Sequence, residues 1–150
     1  MKLRHSLLIF TTGIFMACQN NQSTQHVEET TNSTPTTQTC YAYTNNRDTA
    51  SLTLISTGPI VTGELNYQNF EKDSNTGMLK GEMRGDTLVA DYTFNSEGMQ
   101  SIRQVAFLSK NGELLEGFGD VIEKDGKMVF KTLSTLKFGN SITFTKVNCK

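Results

Sequence analysis

The sequence predicts an all-β protein, a single antiparallel up-and-down (meander) barrel of about eight strands. Three observations predict it. Strand-favouring Thr, Val, Ile, Tyr and Phe are common in the C-terminal two-thirds, and no stretch keeps a helical period over three turns. Turn pairs recur at short intervals: Gly58-Pro59, Gly85-Asp86, Asn111-Gly112, Asp125-Gly126 and Gly139-Asn140. Residues 77–94 spell a β-hairpin almost in full.

In that hairpin Gly85-Asp86 is a two-residue loop, with glycine where a type II′ turn needs positive φ. Arg84 opposite Thr87 sets the register. Leu79 then faces Tyr92, Gly81 faces Ala90 and Met83 faces Leu88, all on one side because strand residues alternate with period two. The other side pairs Lys80 with Asp91 and Glu82 with Val89. A one-residue slip would turn the apolar set to water, so the pattern resists slipping.

Taken in order, residues 1–17 combine basic Lys2 and Arg4 with an apolar run and small Ala17, a secretory signal too short to span a bilayer. The Ala17-Cys18 junction resembles a bacterial lipoprotein signal. That resemblance implies cleavage before Cys18 and diacylation of its thiol. Residues 18–39 carry the lipidated cysteine and a stretch rich in Gln, Asn, Thr and Ser. It is too poor in apolar side chains to offset ordering entropy, and it reads as a disordered tether. The sequon Asn32-Ser33-Thr34 inside it reads as accidental.

The barrel domain is read as residues 40–150. Strands are expected over 49–57 and 60–69, with Leu52, Leu54, Val61, Leu65 and Tyr67 able to share a face. A polar loop at 71–75 leads into the 77–94 hairpin, and Glu97-Gly98 marks the next turn. Strands over 101–109 and 113–122 flank Asn111-Gly112. Further strands are expected over 127–133 and 141–147. Eight such strands close into a barrel and so remove exposed edges.

Glu71-Lys72-Asp73, Gly85-Asp86-Thr87-Leu88, Ser96-Glu97-Gly98 and Leu115-Glu116-Gly117 make the chain resemble small lipoproteins of Bacteroidota-type bacteria. In architecture the domain looks lipocalin-like. The likeness is one of shape: without tryptophan the chain has no Gly-X-Trp signature. Asp48-Thr49-Ala50 and Asp86-Thr87-Leu88 resemble the O-glycosylation sites of those bacteria. They are also ordinary turn chemistry at a strand start.

Of three cysteines, lipidation would use Cys18. Cys40 and Cys149 bracket everything that looks folded and are expected to form a disulfide in an oxidising compartment. In a closed meander the first and last strands are neighbours, which brings these two cysteines together.

Candidate chemistry is sparse. A net charge of −1 with no basic stripe argues against nucleic acid. Both histidines, His5 and His26, lie outside the expected domain, which excludes a His-based triad or His-rich zinc site within it. Glu71, Asp73 and Asn75 offer oxygen donors at alternate positions but lack the rest of an EF-hand loop. Glu113 and Glu116 read as surface charge. With Lys110 opposite Glu113, Phe107 faces Glu116, Val105 faces Phe118 and Arg103 faces Asp120. Arg103, Glu116 and Asp120 are therefore the candidate ligand-binding residues. Turned inward, their face suits an anionic or zwitterionic ligand. Turned outward, it is a solvated ladder of opposite charges, the arrangement favoured because charges are rarely buried.

The resulting expectation is a lipid-anchored protein of the cell envelope, on the outer membrane facing the periplasm. Its barrel binds a small amphipathic ligand and catalyses nothing, with no cofactor and no metal. The alternative is a protein-interaction module, an inhibitor or assembly factor acting on another envelope protein.

Overall fold

A computed structural model describes residues 34–71, 74–96 and 98–150. Ten strands occur there: β1 (Thr36–Asn45), β2 (Asp48–Thr57), β3 (Ile60–Gln68), β4 (Asn75–Arg84), β5 (Thr87–Ser96), β6 (Met99–Lys110), β7 (Glu113–Phe118), β8 (Val121–Lys124), β9 (Lys127–Phe130) and β10 (Lys137–Val147). The first seven form a meander, β10 joins β7 to β1, and β5 pairs with β6. The ring thus closes as an eight-stranded antiparallel barrel.

Turn chemistry sets the registers. Gly85 has φ of 62°, Arg84 pairs with Thr87, and Leu79 pairs with Tyr92, as the hairpin pattern predicts. Asn111 and Gly112 are both left-handed, as are Asp125 and Gly126, the requirement of type I′ turns. Thr49 and Thr87, the possible glycosylation positions, stand near the starts of β2 and β5.

Ring membership differs from expectation in two places. β1 begins at Thr36, inside the stretch read as tether. Its first residues are polar, and their strand character comes from pairing: Thr36 to Thr39 run opposite Thr57 to Leu54, and the Thr36 and Thr57 hydroxyls lie 3.1 Å apart. At the other end, the strand expected over 113–122 breaks at Gly119-Asp120, and the one over 127–133 shortens to β9. β8 and β9 form a hairpin outside the ring. It is tied to the outer side of β5 and β6 by an ion pair from Lys127 to Asp91 and by the Phe130 amide, which donates to Gln104 Oε1 at 3.2 Å.

The barrel is filled rather than hollow. Leu52, Leu65, Leu79, Leu88, Tyr92, Phe107 and Phe144 are fully buried, and Phe107 meets Phe144 edge-on at 5.7 Å. Cys40 on β1 is bonded to Cys149 just beyond β10, with Cα atoms 5.2 Å apart. The expected disulfide is therefore present, and β1 and β10 are the neighbours that it joins.

A candidate ligand-binding site between β6 and β7

The site arises where two ladders part. β6 and β7 pair from Lys110↔Glu113 to Phe107↔Glu116, and there the ladder stops. Beyond it, Gly117 and Phe118 pair with Phe138 and Lys137 of β10. The edge of β6 left free at Arg103 is met by Met128 of β9. A cavity of about 330 Å³ opens at this split. Among the described residues its charged lining is Arg103 and Glu116, beside Tyr67, Asn75, Val105, Phe118, Val121 and Phe130.

These positions correct the outward reading. Phe107 and Val105 are buried, and Glu116 is only 6% exposed. The reason is the β5–β6 register, in which Leu88 faces Phe107, Ala90 faces Val105 and Tyr92 faces Arg103. Period-two alternation then sends Arg103 to the same side as the buried Tyr92. The expected Arg103–Asp120 row does not form. Asp120 is exposed at the strand break, where its backbone carbonyl accepts from the Lys131 amide at 2.8 Å. It does not line the cavity.

Glu116 is held by a residue from across the barrel, the Tyr67 hydroxyl donating to Oε1 at 2.7 Å. Burial pushes the Glu116 carboxyl above its ordinary range, while the Tyr67 hydrogen bond and the Arg103 charge pull it back. Burial also raises the Tyr67 phenol, with the nearby Glu116 adding to the effect. Tyr92 is pushed up to about 12 by burial, against a lowering influence from Arg103.

Arg103 sits among aromatic rings. Its Cζ is 5.6 Å from the ring centre of Tyr67, 5.4 Å from Tyr92 and 5.3 Å from Phe94. Tyr92 and Phe94 stack at 4.8 Å. Gly77 leaves them room, since a Cβ there would come within 2.8 Å of both the Tyr92 ring and Phe94 Cβ.

Among the described residues, three buried side-chain polar atoms lack a protein partner: Asn75 Oδ1, Arg103 Nε and Glu116 Oε2. All three residues line this one cavity. Buried polar groups are normally paired, and these three unpaired ones belong to residues around one space that water or a polar ligand can fill. The arrangement can bind and orient.

Sequence reasoning found Arg103 and Glu116 with Phe107, Val105 and Phe118 beside them, but not the contacts from β3 and β4. Tyr67 was legible as an inward residue, yet its contact with Glu116 spans 49 positions. Cys18 lies outside the described residues, as does Asp73 of the possible oxygen cluster, while Asn75 of that cluster lines the cavity. No protein-family model, curated protein or solved structure matches the chain.

Proposed function

We propose that the protein is a non-catalytic binding protein of the cell envelope, anchored by lipid at Cys18, whose barrel holds a small amphipathic ligand between β6 and β7. One observation carries the binding reading: Asn75, Arg103 and Glu116, each with an unpartnered buried polar atom, all line the same partly apolar cavity. A ligand with a polar end and an apolar body complements that lining. The ligand sits at one end of the barrel, because the rest of the interior is occupied by core side chains.

The direct test is methyl NMR of the full chain in lipid nanodiscs, titrated with hexanol as a neutral amphiphile. Methyls of Val105, Val121 and Ile142, which line the cavity, should shift saturably, and those of Leu52 in the core should not. Val121→Arg should block the effect. Shifts confined to outer positions such as Ile55 and Ile60, or none at all, would remove the binding reading.

A second reading is an interaction module, favoured by the exposed apolar residues Phe118, Val121, Ile122 and Met128 along β7 to β9. Ile122 is not a cavity residue. A photo-crosslinker at position 122 that traps a defined envelope protein, with loss of that product in an Ile122→Ser chain crosslinked from position 128, would favour this reading.

A further inference from the structure

The cavity's chemistry narrows the ligand class, an argument that rests on the binding reading above. We propose that the ligand's polar end is a carboxylate, received between the Arg103 guanidinium and the Glu116 carboxyl, on a short aliphatic tail lying toward Phe118, Val121 and Phe130.

Charge balance decides the sign of the head group. Among the described residues Arg103 and Glu116 are the charged ones lining the cavity, and neither belongs to the ion pairs found there, Arg84–Glu82 and Lys127–Asp91. Glu116 is 6% exposed, and burial favours its neutral acid form. A carboxylate arriving beside Glu116 favours that acid form further, since two neighbouring carboxylates disfavour both being charged, and one bound monoanion then balances Arg103. A phosphate dianion would leave a buried negative charge unmatched. An ammonium would face the guanidinium, and the π faces of Tyr67, Tyr92 and Phe94 that could receive it already surround Arg103.

Geometry points the same way. A guanidinium presents a planar fork of donors that matches a carboxylate, and Arg103 Nε has no protein acceptor. Glu116 spends Oε1 on the Tyr67 hydroxyl and has no protein partner at the buried Oε2. In the acid form that oxygen carries a proton and donates it to an incoming carboxylate, a charge-assisted O–H to O⁻ bond. Two carboxyl groups thus share one proton beside one guanidinium. The volume of about 330 Å³ lies at the low end for ligand pockets, which limits the tail to a short chain.

The test compares four six-carbon probes on the full methyl-labelled chain in nanodiscs: hexanoate, hexyl phosphate, hexylamine and hexanol. Hexanoate should bind about tenfold or more tightly than hexanol, the worth of a hydrogen-bonded charge. Arg103→Gln should bring hexanoate down to the level of hexanol, and Glu116→Leu should weaken it more than Glu116→Gln, which can still donate. The ranking of probes on the unmodified chain needs no variant, so a folding defect cannot hide the answer. Hexanol, hexylamine or hexyl phosphate binding as tightly as hexanoate overturns the carboxylate assignment and leaves the cavity reading standing. No methyl shift at Val105, Val121 and Ile142 with any probe overturns both.

Discussion

The Tyr67 hydroxyl reaches across the barrel to Oε1 of Glu116 at 2.7 Å. Tyr67 lies on β3 and Glu116 on β7, strands that stand opposite each other in the ring. The bond satisfies one carboxyl oxygen where water is scarce. Tyr67→Phe should therefore cost about 1–3 kcal/mol, the penalty for leaving a buried polar group without its partner. Denaturant unfolding should show a lower midpoint with an unchanged slope. The Glu116 carboxyl should also titrate higher in Tyr67→Phe, because the lost hydrogen bond was lowering it. Carboxyl-carbon NMR would follow that change, and an unmoved titration would contradict the assigned bond.

Much of this site was written in the sequence, in pieces that had to be joined. The Gly85-Asp86 turn placed Tyr92 on the face of Leu79 and Leu88, and the Asn111-Gly112 turn placed Arg103 on the face of Phe107. Each hairpin was readable alone. What ties them is the β5–β6 ladder, whose last pair is Ser96 with Met99. Counting back from that pair sets Arg103 opposite Tyr92 and turns the charged face inward. Favouring the outward face rested on the general cost of buried charge, and local register overrode it. Tyr67 could not be joined by counting, because closure brings it to Glu116 without a shared turn. β1 was hidden for another reason: Thr36, Thr37 and Gln38 are exposed, so no apolar alternation marks their strand.

Glu116 makes stability depend on pH. Its folded carboxyl titrates above the ordinary value of 4.5. The folded state therefore holds a proton that the unfolded state releases. Stability from this group is full below the unfolded value and is lost as pH rises through the folded value. Melting temperature should fall over that interval as pH increases. Glu116→Gln, which cannot ionise, should flatten that part of the profile and melt higher at neutral pH. A profile identical to the parent chain would mean that Glu116 is not the group responsible.

Arg103 should be energetically coupled to Glu116 and not to Asp120. A double-mutant cycle of Arg103→Met with Glu116→Gln should leave an interaction above about 0.5 kcal/mol, since the two share one cavity. The cycle of Arg103→Met with Asp120→Asn should close within about 0.3–0.5 kcal/mol, as expected of sites without a shared partner. The reverse result would restore the Arg103–Asp120 ladder that the strand break at Gly119-Asp120 interrupts.

Cys18→Ser should abolish membrane association. The prediction follows from the apolar run ending at Ala17-Cys18, with more than one acyl chain needed for stable anchoring. Cell fractionation checks it. A variant found in the membrane pellet after signal removal would exclude a lipid anchor at this position.

Reducing the Cys40–Cys149 bond should loosen the barrel at one seam. The bond joins positions 109 residues apart and links β1 to the end of β10, the pair that closes the ring. That seam has the smallest ladder on β1: it pairs at Cys40↔Val147, Tyr41↔Lys146 and Ala42↔Thr145, whereas β1 and β2 pair along their whole length. For a loop of this size the chain-entropy contribution is about 4.7 kcal/mol, an upper figure because the unfolded chain keeps residual structure. Replacing both cysteines by serine should therefore lower stability by about 2–4 kcal/mol. Hydrogen exchange should localise the change: amides of β1 and β10 should lose protection first, ahead of those in the β4–β5 hairpin. Uniform loss of protection around the ring would show that the bond acts on the unfolded chain alone and does not hold a weak seam.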